Sequence, residues 1–452
     1  MISGIKKFVF SLFVSCLIIS LYADNANKDK GILLNNQPKF VVLNNYPEKG
    51  PALNTLRYGL FYVKDKSTVW ERLSPFFKTF YKKRISGEIK VLKKHPALRY
   101  NLWLNDKKSD LVFIIPGTGG SFAGFGPVAM ANLFYSNGYS AVVISNSFNW
   151  EFMEAAGTTV APGCTLADSA DVRRALERLN KHLNKQYKGH FNRKILLGSS
   201  MGALQVLFIK DYYSQHPQSP FERYIAINPP VDMFYAINQI DNFYKTSIDW
   251  SKNNIQEKVK NLVVSYMNLM SGNSLDSAPV ITALEKGRKQ GKRTVFQYKI
   301  TDKDAKFLIG LNFHLNLVDV IYSIFMRDLT DAIGVEKSDY DQREIYKKIE
   351  MFDFDLYLEK ILLPNFKKLY GNSVSKEQVI RSSGLKYIQK SLKNADDIRI
   401  LHNQDDFLLG DGDLDWLKKT FGSRLTLFSV GGHLGNLYFP EVKQNILQAA
   451  KE

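Results

Sequence analysis

The stretch Lys194-Ile195-Leu196-Leu197-Gly198-Ser199-Ser200-Met201-Gly202-Ala203-Leu204 constrains this chain more than any other. An apolar, strand-forming run meets Gly-Ser-Ser-Met-Gly and leaves as a helical pattern that continues to about Tyr213. Glycine on both sides of a serine, spaced GxSxG, suits a strand-to-helix turn so tight that any larger side chain blocks the crossing. Such a turn holds Ser200 at its tip. Five residues of this kind also occur as an ordinary turn, so the reading depends on whether the chain supplies a base, an acid and an oxyanion site.

Before that turn, Ile85–Leu92 and Leu98–Leu104 alternate as paired strands around His95-Pro96. Asp110–Ile115 is a continuous apolar run of the kind that forms a strand buried on both faces. It ends in Pro116-Gly117-Thr118-Gly119-Gly120. This loop fits neither GxGxxG nor GxxxxGK[ST], which argues against a phosphate cradle. It does suit an oxyanion hole, where small residues let backbone N–H groups approach a developing charge. A helix over Gly126–Asn137, a strand over Ser140–Ser145 and a long loop, Asn146–Thr165, follow. Loops at the carboxyl ends of parallel strands line ligand crevices. Gly117, Gly119, Trp150, Phe152 and Met153 are therefore candidate substrate-lining residues, with loop packing as the alternative for the apolar three. Asp168–Lys185 reads as a helix with Asp168 or Ser169 as its cap and Asp171 favoured by the helix dipole. A strand over Arg223–Asn228 ends in Pro229-Pro230-Val231-Asp232.

Strands alternating with helices at this spacing predict an α/β fold, a mostly parallel sheet with helices on both faces. The alternation stops near Phe243. Helical patterns then run over Ile255–Met270, Lys303–Met326, Tyr340–Leu363 and Glu377–Leu392. Lys303–Met326 is apolar on nearly every face, and Lys306, His314 and Asp319 within it favour a buried helix over a membrane-spanning one. Sheet character returns at Asp397–Leu401, followed by His402-Asn403-Gln404-Asp405-Asp406-Phe407-Leu408. After a helix at Leu414–Phe421 comes a last strand, Arg424–Val430, and then Gly431-Gly432-His433. Acidic and imidazole side chains thus follow two successive strands. Asp406, Asp405 and Asp232 all remain open as the acid on these grounds.

At the start of the chain, Lys6 and Lys7 precede an apolar stretch, Phe8–Leu21, too short to span a bilayer comfortably. Residues 1–23 are expected to be an export signal cleaved after Ala23, which makes the protein periplasmic or secreted. Lipid attachment at Cys16 and an uncleaved membrane anchor are the alternatives. Beyond that segment Cys164 stands alone, so no internal disulfide can form, and it reads as a small buried thiol. Residues 24–84 form an N-terminal extension with a flexible start and an amphipathic helical run from Ser67 to Phe80. The formal net charge is +17, but its lysines are dispersed rather than gathered in a stripe. This excludes a nucleic-acid function and leaves a solvated surface, with peripheral contact to an anionic membrane as the sharper alternative.

The chain resembles the α/β-hydrolase superfamily over about residues 85–245 and 396–452. The likeness rests on Pro116–Gly120, Gly198–Gly202, His402–Leu408 and Gly431–His433, with 246–395 as an inserted helical cap. Pro116 stands where the family more often has His. Asn403 and Leu408 replace Gly and Val of the acid loop HGxxDxxV. The resemblance implies the chain order Ser200, Asp406, His433 for a catalytic triad, and selects Asp406 over Asp405.

The chemistry follows from residue types. A serine hydroxyl attacks only when a base removes its proton, and imidazole titrates near neutrality, so it both takes and returns that proton. An aspartate fixes the imidazole tautomer and stabilises the imidazolium. Thr118 and Met201 would offer the oxyanion N–H groups. The expected function is an exported serine hydrolase that cleaves a small-molecule or lipid carboxylic ester through an acyl-enzyme. An acyltransferase with the same triad, an amidase or peptidase, and a noncatalytic binding protein on the same fold are the alternatives. No cofactor is expected. No metal site is expected either: the histidines lack HExxH spacing, and Asp411, Asp413 and Asp415 lack the glycine and glutamate of a calcium loop, so they read as caps for the helix from Leu414.

Overall fold

Among the described residues, nine strands make one sheet, in the order β1-β11-β10-β7-β6-β4-β5-β3-β2. They are β1 (Lys39–Val41), β2 (Arg84–Ile89), β3 (Leu98–Trp103), β4 (Ser109–Ile115), β5 (Ser140–Ile144), β6 (Phe191–Ser199), β7 (Arg223–Ile227), β10 (Ile398–Asn403) and β11 (Leu425–Phe428). A separate two-stranded pair joins β8 (Ile281–Thr282) to β9 (Val295–Phe296). In the nine-stranded sheet all pairings from β1 to β5 are parallel, and only β5-β3 and β3-β2 are antiparallel; β8 and β9 also pair antiparallel. The computed structural model describes residues 37–64, 80, 83–245, 281–282, 295–296, 300–327, 332–334 and 342–452. The expected signal over 1–23, residues 67–79 and the helix Ile255–Met270 lie outside these.

Alternation along β4 explains the two-sided core. Successive side chains point to opposite faces of a strand. Leu111, Phe113 and Ile115 enter one buried cluster, while Val112 and Ile114 enter the other. Seven helices matter for the site: α1 (Pro51–Leu56), α2 (Phe125–Tyr135), α3 (Thr165–Gln186), α4 (Met201–Gln215), α5 (Met233–Lys245), α6 (Asp302–Met326) and α7 (Pro440–Lys451). Helices α3 and α4 supply the Phe113 side, and α2 and α7 the Val112 side.

Helix α6 opens with a reciprocal cap, Thr301 Oγ1 accepting from the Asp304 N–H and the Asp304 carboxylate accepting from the Thr301 N–H. It is long and apolar enough to cross a membrane by length and composition. Its Phe313, Leu317, Val318, Ile321 and Ile324 are nevertheless buried in the same cluster as Phe113. Gly310 lets α6 cross α5 closely, since a Cβ there would collide with the Tyr244 backbone.

Several elements differ from the sequence expectation, each for a local reason. The helix expected at Asp168 begins at Thr165, and Asp168 reaches back from inside it to accept the Gly163 N–H at 2.7 Å. The loop Asn146–Thr165 contains a helical turn, Trp150–Ala155, capped by Asn149. The pattern read as one helix over Tyr340–Leu363 is helical over Gln342–Ile349 and starts afresh at Phe354, where the Asp353 carboxylate caps the Leu356 N–H at 2.8 Å. The pattern over Glu377–Leu392 breaks at Gly384 because the Leu385 N–H leaves the helix to bond the Val231 carbonyl at 2.8 Å. Residues 39–41 of the N-terminal extension add strand β1 to the sheet edge beside β11. The helix at Leu414 starts at Asp413, with Gly412 as its cap in a left-handed conformation at φ 79°.

Candidate active site

The elbow is built from strand β6, helix α4 and the end of β4. Ser200 takes φ 55° and ψ −122°, a left-handed conformation unfavourable for a residue with a Cβ. Its N–H donates to the Ile227 carbonyl at 2.9 Å, tying the turn to β7. Glycine is required on both flanks. A Cβ on Gly198 would collide with the Gly202 carbonyl, and one on Gly202 with the carbonyls of Ile115 and Pro116.

Three side chains meet at this tip. His433 Nε2 lies 2.8 Å from Ser200 Oγ, and His433 Nδ1 lies 2.9 Å from Asp406 Oδ2. The carboxylate accepts at Nδ1, which places the ring proton there and leaves Nε2 to accept from the serine hydroxyl. Asp406 is buried and also accepts from Asn228 Nδ2 at 2.7 Å and the Leu408 N–H at 3.0 Å. Burial would raise its carboxyl, but the charge and bond of His433 hold it below the usual carboxylate range, aided by the Leu408 N–H. The neighbouring Asp405 does something else. Its Oδ1 accepts the Gly432 N–H at 2.8 Å and its Oδ2 accepts from Asn54 Nδ2 at 3.3 Å, so it fastens the histidine loop rather than the ring. Asp232 accepts the Tyr235 N–H at 2.9 Å and caps α5.

His402 sits behind the acid, fully buried and 3.9 Å from Asp406 Oδ2. Burial lowers its pKa, so it is neutral. Its Nε2–H donates to the Pro229 carbonyl at 3.1 Å while Nδ1 accepts the Asn403 N–H at 3.0 Å. Asn403, the departure from the family's acid loop, donates to the Gly432 carbonyl at 2.8 Å. It is thereby part of the histidine loop's support.

The loop Pro116–Gly120 lies beside the nucleophile, where a Cβ on Gly117 would approach Ser200 Cβ to 3.2 Å. A buried amide network holds it. Asn146 Nδ2 donates to the Pro116 carbonyl at 3.0 Å and to Gln205 Oε1 at 3.2 Å, and Asn149 Nδ2 donates to the Gly119 carbonyl at 3.1 Å. Met201 is the first residue of α4, so its N–H has no acceptor within the helix. The Thr118 N–H donates to no acceptor among the described residues. Asn316 of α6 stands over Gly119, close enough that a Cβ on Gly119 would collide with its carboxamide.

Of the apolar residues expected to line the substrate, Phe152 and Met153 are buried in the core at 1% and 3% exposure, a placement that suits packing. Trp150 is 48% exposed. Phe407 instead flanks the histidine, its ring 6.3 Å from that of His433 and 5.0 Å from Phe243. Cys164 is buried, and burial pushes its thiol up to about 12, which leaves it unreactive at neutral pH. Among the described residues no group of three His, Cys, Asp or Glu side chains gathers to hold a metal.

Sequence reasoning passed over Asn228 and the N-terminal residues Asn54 and Thr55. Asn228 takes φ 48° directly after β7, and a polar residue at a strand's carboxyl end was its one sequence signal. Thr55 Oγ1 accepts the His433 N–H at 2.8 Å from the far end of the chain.

No protein-family model matches the sequence, and no curated protein matches it. Among solved structures the chain is similar to an esterase of Pyrococcus furiosus, at 11% identity over 84% of this chain and 93% of that one, with a TM-score of 0.41. It is also similar to a serine hydrolase of the polyaromatic-hydrocarbon-degrading bacterium Cycloclasticus, at 12% identity over 81% and 98%, with a TM-score of 0.40. A thioesterase domain from the curacin biosynthetic pathway matches at 12% identity over 80% and 99%, with a TM-score of 0.36. The mostly parallel sheet, with helices on both faces and a tight strand-to-helix turn after its central strands, defines an α/β-hydrolase fold.

Proposed function

We propose that this protein is a serine hydrolase that cleaves a carboxylic ester through an acyl-enzyme, with Ser200 as nucleophile, His433 as base and Asp406 as acid. The observation that carries the reading is the unbroken chain Ser200 Oγ, His433, Asp406 at 2.8 and 2.9 Å, set on a turn that holds Ser200 at φ 55°. Ser200 Oγ attacks the ester carbonyl as its proton passes to His433 Nε2. The tetrahedral oxyanion is met by the Met201 and Thr118 N–H groups, each such donor being worth about 3 kcal/mol. Collapse expels the alcohol, which takes the proton from His433 and leaves the acyl group on Ser200. Water, deprotonated by the same imidazole, then releases the acid.

The pair Phe243 and Phe407 beside His433 supports an apolar group on the substrate, such as an acyl chain. The basic and apolar start of the chain supports an enzyme that works outside the cytoplasm. The test is labelling with a fluorophosphonate probe, with Ser200→Ala as control. Ser200→Ala is expected to abolish labelling and to lower ester hydrolysis by about 10⁴-fold or more. Labelling that survives this substitution, or a folded wild-type protein that takes no label, would sink the reading.

A further inference from the structure

We infer that the N-terminal helix α1 is a clamp that positions His433, with Thr55 as its positioning residue; this rests on His433 being the base of the proposed reaction. The loop Gly431–Gly435 is poor at fixing itself. It holds three glycines, with φ 154° at Gly431 and 56° at Gly432, and Leu434 is left-handed at 65°. Glycine-rich backbone has much conformational freedom to lose, so the imidazole stays in place only if something outside the loop holds it.

Helix α1 does this at successive positions. Thr55 Oγ1 donates to the Pro51 carbonyl at 2.8 Å, which fixes the hydroxyl's orientation, and accepts the His433 N–H at 2.8 Å. Gly432 has no Cβ because the Pro51 carbonyl and Thr55 Oγ1 occupy that space, and Gly435 has none because the Asn54 carbonyl does. A second path runs through the buried Asn54. Its Oδ1 accepts from the Lys49 N–H at 3.1 Å and Arg57 Nη1 at 2.6 Å, while its Nδ2 donates to Asp405, which in turn accepts the Gly432 N–H. On its other side α1 packs Ala52 and Leu56 with Ile300 and Ala305, next to Leu308 and Ile309 of α6. The clamp therefore lies between the inserted helix that covers Gly119 and the loop that carries the base.

The experiment compares Thr55→Val, which removes the hydroxyl at nearly equal volume, with Thr55→Ser, which keeps it. The readout is the kinetics of fluorophosphonate labelling at Ser200, separated into the maximal rate and the half-saturating probe concentration, with thermal midpoints in parallel. Thr55→Val is expected to lower the maximal rate about tenfold or more and to leave the half-saturating concentration within about twofold, because misplaced imidazole impairs activation rather than binding. Thr55→Ser is expected to restore the rate to within about threefold of wild type. Ile446→Ala in α7, a buried change remote from the loop, controls for lost stability. Wild-type rates in Thr55→Val, a Thr55→Ser variant as slow as Thr55→Val, or an equal rate loss in Ile446→Ala would each overturn the clamp. Label that persists in Ser200→Ala would instead overturn the nucleophile assignment itself. Label lost in Ser200→Ala but indifferent to Thr55 would overturn the clamp alone.

Discussion

The elbow that carries Ser200 and the loop that carries His433 both depend on glycine, yet they are held by different parts of the chain. At the elbow the obstructing atoms are backbone carbonyls of Ile115, Pro116 and Gly202, all in the sheet centre or the turn itself. At the histidine loop Asn436 and Asn403 obstruct Gly431, but at Gly432 and Gly435 the obstructing atoms belong to Pro51, Thr55 and Asn54, nearly four hundred residues earlier and in a helix of six residues. The nucleophile's position is thus set by the local crossing of strand and helix. The base is set by the neighbouring acid loop together with remote contacts from the start of the described chain.

Replacing one glycine in each region tests this difference with the largest expected effect. Gly202→Ala puts a methyl against carbonyls that cannot move without bending β4, and is expected to destabilise the protein by about 3 kcal/mol or more and to abolish labelling. Gly432→Ala meets left-handed strain and the Pro51 carbonyl of α1, a single six-residue helix rather than the sheet centre. About 1–2 kcal/mol and a partial loss of labelling are expected there. Denaturant unfolding of both variants measures the gap. Equal losses would mean that the histidine loop is as rigidly built as the elbow.

The adjacent acids sharpen the comparison at the next level. Asp406 serves the imidazole and Asp405 serves the loop's backbone, so Asp406→Asn is expected to lower activity by about 10³- to 10⁴-fold with the fold intact, and Asp405→Asn by only about tenfold. Their stability signatures have opposite signs with pH. Asp406 has a depressed pKa, so its contribution is present above the ordinary carboxyl range and fades as pH falls through the folded value. Asp405 is raised, because burial outweighs the amides of Gly432 and Gly431 and the Asn54 bond. Its contribution is complete below about pH 4 and is lost as pH rises through the raised value. Relative to wild type, the thermal midpoint of Asp405→Asn should therefore rise from pH 4 towards neutrality, whereas the deficit of Asp406→Asn should shrink as pH falls. An Asp405→Asn variant that loses more activity than Asp406→Asn would reverse the two roles.

How much could be read beforehand follows the same division. The β4 run, the Gly198–Gly202 turn and the loops holding Asp406 and His433 were legible because each is a short pattern whose cause lies within a few residues. Asn228 was not, since its role depends on Asp406 lying across a neighbouring strand, a sequence separation of 178. Thr55 and Asn54 sit in a stretch with no periodic signal, and their partners lie 378 and 351 residues away. The break at Gly384 was hidden for a similar reason, its cause being the carbonyl of Val231. Phe152 and Met153 show the reverse case, where a loop position suggested substrate contact and the helical turn from Trp150 to Ala155 carried them into the core.

The smallest expected effect marks where the remote support ends. Tyr46 also reaches the histidine loop, its hydroxyl donating to the Gly435 carbonyl, but at 3.4 Å that bond is long and contributes little. What holds Tyr46 is its ring, 5.4 Å from Phe439, 6.1 Å from Tyr438 and under the Arg57 guanidinium at 5.4 Å. Burial raises its phenol well above the ordinary value, so it stays neutral throughout the working range. Tyr46→Phe keeps the ring and gives up only the weak bond. Its thermal midpoint is expected within about 2 °C of wild type and its labelling rate within about twofold. A tenfold loss of labelling in this variant would extend the support of His433 from the single helix α1 to the whole segment that precedes it.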